Sequence, residues 1–347
     1  MWRNLLLSLA LASPALANDG FGGLSATGLT FGQTEAVAMV EEDLFISPTK
    51  VKVSYVFENQ TAQDVTGEVI FPLPPIGLAG LYYSPFNLPE DVRRANFLNF
   101  HAVVDGVEVP VTLDRIAVIE PPWEENRPSS EQYDTPGRDV TVELAGLSIP
   151  LSVDLDEVTA AIQAGGQATI QALTAKGLLE YYPAEGDSPE QIVPVWSVVM
   201  RYHWTQTFPA GQKLTIAHDY DNLPSGGLLG WEDPLPDYMA EYEDRYCVDA
   251  GTSRAMSKAT AYTDSDGNSY SMGSAYMMSY VLRTANSWAG PIGKFRLTVD
   301  KAAPENVVSL CADGIKKTGP TTFVWEQTNF TPDRDLEILL MQPIPRQ

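Results

Sequence analysis

Val51-Lys52-Val53-Ser54-Tyr55-Val56-Phe57-Glu58 alternates apolar and polar side chains with a period close to two. Successive side chains of a strand point to opposite faces, so Val51, Val53, Tyr55 and Phe57 share one face suited to burial. That alternation sets a β reading for the chain. Working outward, Asn59 to Asp64 is polar and turn-like; Val65, Val69 and Phe71 resume the β pattern until Pro72, Pro74 and Pro75 stop it. The two runs read as a hairpin. A second pair, Phe97 to Val104 and Val107 to Leu113, is joined by Asp105-Gly106, the dipeptide favoured in tight type I′ turns. Between the pairs, Pro75 to Pro89 is a long loop. Its Leu78, Leu81, Tyr82, Tyr83 and Phe86 imply that it packs on the body or covers a groove.

Further along, Glu120 to Arg138 is rich in Pro, Glu, Ser and Asn and reads as a mobile surface segment. Asp154 or Asp156 can cap a helix that brings Leu155, Val158 and Ile162 to one face. Gly165-Gly166 interrupts it, and Gln167 to Lys176 forms a second helix, with Gly177 where a left-handed C-cap is wanted. A long aromatic strand, Val195 to Phe208, turns at Pro209-Ala210-Gly211 and returns as Lys213 to Tyr220. A short helix from Asp237 is expected next. Strands then follow around Lys258 to Thr263, Tyr270 to Arg283, Lys294 to Val299, Val307 to Cys311, Thr322 to Gln327 and Leu336 to Met341. Many short strands with frequent turns argue a sandwich and not a parallel α/β sheet.

The expected fold is mainly β: two antiparallel β-sandwich-like lobes with a small α-helical insert. Residues 1–17 are the signal peptide, 18–150 an N-terminal β lobe, 151–190 the insert and 191–347 a C-terminal sandwich lobe. The leader rests on Arg3, the short apolar run Leu5 to Leu11, and Ala15-Leu16-Ala17, which places cleavage between Ala17 and Asn18. The run is too short to span a bilayer, and no later stretch approaches that length, so no membrane span is expected after cleavage. The destination is the periplasm or the medium. In such an oxidising compartment Cys247 and Cys311, the two cysteines of the chain, read as a disulfide. The 22 basic and 45 acidic residues give a net charge of −23, a field that repels nucleic acid.

Chemistry is harder to find. His218, Asp219 and Tyr220 make a candidate polar site at a strand end, but no G-x-S-x-G elbow accompanies them. Asp264, Asp266 and Asn268 form a weak candidate metal site: an EF-hand counted from Asp264 wants glycine at Ser269 and glutamate at Ala275, and neither is present. Trp231, Tyr238, Tyr242 and Tyr246 are interleaved with acidic residues, a mixture that can line a glycan site or form an acidic helix with a buried aromatic face. No cofactor motif is present.

Several blocks resemble a bacterial exported family known as domain of unknown function 4424. They are Glu42 to Ser47, Val51 to Asn59, Phe71-Pro72-Leu73-Pro74, Trp204 to Gly211, His218-Asp219-Tyr220, Pro224-Ser225-Gly226, Tyr280-Val281-Leu282, Trp288 to Leu297, Cys311 to Gly314 and Asn329 to Pro332. The resemblance implies export and a largely β fold, and no activity. A narrower likeness, in the first lobe, is to inter-alpha-trypsin-type adhesive sandwich modules. The reading that follows is a non-enzymatic envelope protein binding a protein or a glycan, with Tyr82, Tyr83, Phe86, Trp231, Tyr238 and Tyr242 as its candidate surface. The alternative is an envelope-polymer hydrolase using carboxylates or His218.

Overall fold

Residues 20–25, 28–83, 88–120, 137–263 and 267–344 are described by the computed structural model. The N-terminal part supplies β1 (Gly20–Ser25), β2 (Gly28–Phe31), β3 (Val37–Ile46), β4 (Lys50–Asn59), β5 (Val65–Pro72) and β6 (Ile76–Gly77). Helix α1 (Leu78–Tyr83) precedes β7 (His101–Val104), β8 (Val107–Val109), β9 (Thr112–Ile119) and β10 (Arg138–Asp139). Helices α2 (Thr141–Ala145), α3 (Leu155–Ala164) and α4 (Gly166–Ala175) lead to β11 (Leu179–Tyr182), β12 (Gln191–Pro194), β13 (Ser197–Phe208), β14 (Lys213–Asp221) and β15 (Ser225–Gly230). After α5 (Ala240–Tyr246) and α6 (Ala250–Thr260) come β16 (Ala261–Thr263), β17 (Ser269–Tyr280), β18 (Ile292–Asp300) and β19 (Val307–Leu310). The chain closes with β20 (Lys316–Lys317), β21 (Thr322–Phe330) and β22 (Leu336–Pro343).

Two large sheets face each other. One is seven-stranded, in the order β10-β9-β13-β5-β1-β2 with β6 also on β13; the other is eight-stranded, β20-β21-β18-β3-β4-β14-β7-β8. Val51, Val53, Tyr55 and Phe57 of β4 all lie in the shared core, as the alternation predicts. Rings interlock across it: Phe57 meets Phe208 edge-on at 5.7 Å, and Phe100 stacks on Tyr202 at 4.2 Å.

The expected hairpin over 51–72 is instead an arch, because β4 and β5 belong to opposite sheets. The same holds for β13 and β14 around Pro209-Ala210-Gly211. Alternation marks an apolar face in each strand but cannot say whether two such faces lie side by side or face to face. Asn59 settles it. Only 1% exposed, its Nδ2 donates to the carbonyls of Gln63 and Phe208, both at 2.8 Å. Its Oδ1 accepts from the Thr61 amide at 2.9 Å and the Thr61 hydroxyl at 2.8 Å. Asp64 Oδ1 accepts from the Ala210 amide at 2.9 Å, so each arch holds the other. By contrast β7 and β8 do form the expected hairpin, with Asp105 at φ 46° and Gly106 at φ 82°.

The expected boundaries at 150 and 191 do not separate the sheets. β13 lies between β9 and β5, and β18 runs parallel to β3, Leu297 opposite Leu44. Strands drawn from opposite ends of the chain need no tight turn between them, so a parallel pair is admissible here. Alternation within each strand carries no information about such distant partners.

A third, five-stranded sheet, β15-β17-β22-β19 with β16 on β17, is a wall between two cores. The run Leu336-Glu337-Ile338-Leu339-Leu340-Met341 does not alternate, which suits a strand buried on both faces. Ile338 and Leu340 enter the sandwich core, while Leu339 and Met341 join Trp231, Met239, Tyr246 and Met256 in a smaller one. The second body is therefore a sheet covered by α5 and α6, not another sandwich. Residues 258–260, expected in a strand, end α6: Asp249 Oδ1 caps it by accepting from the Thr252 amide at 2.6 Å, and Ser253, Met256 and Thr260 form its buried face. The helical insert is as expected. Asp154 caps α3 through the amides of Asp156 and Glu157, and Gly177 takes the left-handed conformation (φ 68°) after α4. Leu78 and Leu81 of the 75–89 segment are buried, and part of that segment is the helix α1.

Candidate functional site

Where the sandwich meets the third sheet, a cavity of about 180 Å³ is left. For scale, an engineered cavity of about 150 Å³ lined by apolar side chains binds benzene. Its floor follows from register: Ser225 pairs with Met277 and Ser279 with Glu337, so these four side chains share the sheet face that supports the smaller core. The far wall is Leu73-Pro74-Pro75-Ile76 beyond β5, Leu98, and Tyr220 to Pro224 beyond β14. Prolines end both strands here, since they cannot donate to the ladder.

Arg245, near the end of α5, also lines the cavity, and its Nη2 lies 3.1 Å from Glu337 Oε2. Burial raises the Glu337 carboxyl above its ordinary range, against the pull of Arg245. Arg334 Nη2 donates to the Arg245 carbonyl at 3.3 Å. Asp335 Oδ1 accepts from the amides of Leu282 and Arg283, and lies 4.0 Å from Arg283 Nε. Three guanidiniums and two carboxylates thus form a charged network, of which Arg245 alone is among the cavity-lining residues. At the opposite rim Lys50 Nζ meets Asp219 at 2.5 Å and Asp221 at 3.2 Å, and Asn99 Nδ2 donates to Asp221 at 2.5 Å. Burial pulls the Lys50 ammonium down, but the two aspartates outweigh it and hold it raised.

Cys247 follows α5 in the left-handed conformation, φ 49°, and is bonded to Cys311 just past β19, with Cα atoms 5.0 Å apart. The disulfide therefore fixes the helix end that carries Arg245.

The family described as Domain of unknown function (DUF4424) matches residues 17–339. The chain belongs to that family. No curated protein matches it. Among solved structures, a protein from Legionella pneumophila subsp. pneumophila str. Philadelphia 1 described as a candidate nutrient binding protein is similar. The likeness covers 93% of this chain and 72% of that one, at 17% identity and a TM-score of 0.43. It is too remote to transfer a fold or a ligand. Three of the DUF4424 blocks read from the sequence, Phe71 to Pro74, His218 to Tyr220 and Pro224 to Gly226, contribute residues to this cavity.

The candidate residues scatter. His218 is 3% exposed and sits among Phe71, Phe100 and Tyr55, with ring centroids at 4.3, 5.1 and 5.7 Å. Burial drives its pKa down to about 3, so it is neutral at ordinary pH. Strand alternation turns Asp219 to the opposite face, towards Lys50, while Tyr220 is buried beside the cavity with its phenol pushed up by burial. The three do not converge. Trp231 is sealed in the smaller core and donates to the Ser253 hydroxyl at 3.1 Å, so it is no binding surface. Tyr242 is half-buried against Trp231. Of the candidate surface Tyr82 is exposed; other exposed tyrosines among the described residues are Tyr182, and Tyr262 and Tyr270, which stack at 5.3 Å on the outer end of the third sheet. The side chains of Tyr83 and Tyr238, and residues Phe86, Asp264 and Asp266, lie outside the described residues, as do the leader and its cleavage point. Asn268 is exposed on the strand side of that turn. Among the described residues no group of three His, Cys, Asp or Glu is placed to hold a metal.

Sequence reasoning missed Arg245 and Ser279. Its usable signal for Arg245 was a basic residue two positions before a disulfide cysteine at a helix end. Ser279 had none, because its neighbour Glu337 lies far away in sequence.

Proposed function

We propose that this is an exported, non-enzymatic binding protein of the cell envelope, whose ligand sits in the cavity between the sandwich and the third sheet. The observation that carries the reading is the cavity itself. Apolar side chains such as Leu73, Ile76 and Met277 share its lining with the polar Asp221, Asn222, Ser225 and Arg245, at the junction of two bodies where ligand sites recur. The disulfide supports residence in an oxidising compartment, and no helix among the described residues is long and apolar enough to cross a membrane. The hydrolase alternative that used His218 is less favoured, because His218 is enclosed by aromatic rings away from any substrate and burial leaves it a weak base; the version that used carboxylates is left with no convergent pair assigned to it.

A photo-crosslinking amino acid at Ser225, compared with one at the outward-facing Val142, tests this in intact cells. A discrete adduct at 225 and none at 142 is expected. The same adducts at both positions, or none at 225, would show that the cavity is not the contact.

A further inference from the structure

We propose that β15 is a dimer edge: it pairs antiparallel with β15 of a second copy of this chain, about a two-fold axis at Leu228, so that the third sheets of the two copies become one. β15 is the outer strand of that sheet, with β17 on its inner side. Gly230 stands opposite Met272, and the Trp231 amide donates to the Ser271 carbonyl at 3.0 Å. Backbone groups alternate in direction along an antiparallel strand, so Leu229, Gly227 and Ser225 turn theirs towards β17. Gly226, Leu228 and Gly230 therefore turn N–H and C=O outwards. Other sheet edges carry charges that discourage pairing with a second chain: Glu108 on β8, Arg138 and Asp139 on β10, Lys316 and Lys317 on β20. β15, Ser-Gly-Gly-Leu-Leu-Gly, carries none, and its Leu228 is 71% exposed.

The edge is complementary to itself. Antiparallel pairing with Leu228 opposite its own copy sets Gly226 opposite Gly230 and Gly227 opposite Leu229. Every outward residue then falls in a hydrogen-bonded pair that exchanges two bonds, and the two exposed leucines meet on one face. Glycine inside a strand is unfavourable and marks a close approach of another backbone. Within its own chain nothing demands glycine at 227: its φ is not left-handed, and a Cβ there would meet nothing within 4 Å. A Cβ at Gly230 would make one ordinary contact, 3.6 Å from the Ser271 carbonyl oxygen. A second backbone alongside gives both positions a role. The antiparallel sense follows from charge, because Glu232 and Asp233 come just after β15 and Pro224 just before it. A parallel pair would bring the acidic ends together, whereas the antiparallel pair sets each against the other's proline end. So short a pairing buries less than the roughly 1,200 Å² of a standard interface, which makes the dimer weak, with Kd on the order of 100 μM.

Sedimentation velocity on the protein with its disulfide intact, from about 10 to about 500 μM, should show monomer passing into dimer. Leu228→Lys should weaken the dimer by at least about tenfold. Val107→Lys, a similarly exposed position on β8, should leave it unchanged, with melting curves confirming that each variant is folded. Register is read by crosslinking. Leu228→Cys should give a disulfide-linked dimer under mild oxidation, because the Cα atoms of a hydrogen-bonded pair lie about 5.5 Å apart. Gly230→Cys, on the same edge but about 14 Å from its own copy in this register, should not. A chain that stays monomeric throughout, a dimer indifferent to Leu228→Lys, or equal crosslinking at 228 and 230 would overturn the proposal. A monomer whose Leu228→Cys captures a different protein would give the edge to another partner and overturn it as well. No arm of the test involves the cavity, so its failure would leave the reading of that site standing.

Discussion

Replacing Asn59 by alanine removes the device that makes β4 and β5 cross the sandwich. Four hydrogen bonds converge on this side chain: two that Nδ2 donates, to Gln63 and Phe208, and two that Oδ1 accepts from Thr61. The Thr61 and Gln63 contacts lie near the surface, where water replaces much of what is lost, so together they contribute about 1 kcal/mol. The Phe208 bond is buried, and leaving that carbonyl unsatisfied costs about 1–3 kcal/mol. A loss of about 3 kcal/mol is expected for Asn59→Ala, which at a urea m-value near 3 kcal/mol/M moves the midpoint by about 1 M. Urea titration by far-ultraviolet circular dichroism, with the disulfide intact, measures it. Asn59→Asp sets a buried carboxylate oxygen against the two carbonyls that Nδ2 serves, so at neutral pH it should be at least as destabilising as alanine. A midpoint shift below about 0.3 M for alanine, at unchanged slope, would refute the claim that this amide locks the arches.

Reducing the Cys247–Cys311 bond, which closes a 64-residue separation, should cost about 4 kcal/mol in the chain-entropy account; an unchanged melting temperature with reductant would contradict it. His218 ordinarily titrates near 6.5 but at about 3 in the folded chain, so its contribution is complete above pH 6.5 and lost as pH falls towards 3. Between pH 7 and 4 this amounts to about 3 kcal/mol, so His218→Phe should flatten the acid limb of the stability curve, whereas parallel curves would rule the assignment out. Asp154→Ala, which uncaps α3, should lose about 1 kcal/mol at pH 7. Since Arg93 and the helix amides hold the Asp154 carboxyl below its ordinary 3.8, that difference should fade as pH drops through and below that value, and a gap that persists there would point to packing instead.

Local features were legible in the sequence because their causes are local. The alternation of β4, the Asp105-Gly106 turn, the Asp154 cap and the Gly177 stop each depend on residues a few positions apart, and each is present. Cys247 and Cys311 were legible for another reason: as the two cysteines of the chain, they had one pairing to make. What could not be read was which strands meet. Both β4 and β5 have one apolar face, and nothing in either run distinguishes a hairpin from an arch until Asn59 is seen bonded to Phe208. β18 joins β3 across most of the chain, so neither run names its partner. The aromatic cluster around Trp231 misled because apolar rings beside acidic residues suit a binding face and a small core equally. Burial decides between them, and burial is set by Met256, Leu339 and Met341 far along the chain. The cavity was invisible for the same reason, being assembled from Leu73, Tyr220, Ser225, Arg245 and Ser279 on separate elements.

Methyl resonances of the methionines offer the most direct test of the cavity as ligand seat. Met277 lines it, whereas Met200 lies in the sandwich core and Met256 in the smaller one. In a titration of the labelled protein with a low-molecular-mass extract of the cell envelope, the account predicts a saturable shift of Met277 with Met200 and Met256 still. Saturation with Met277 unmoved, or all three shifting together, would contradict it.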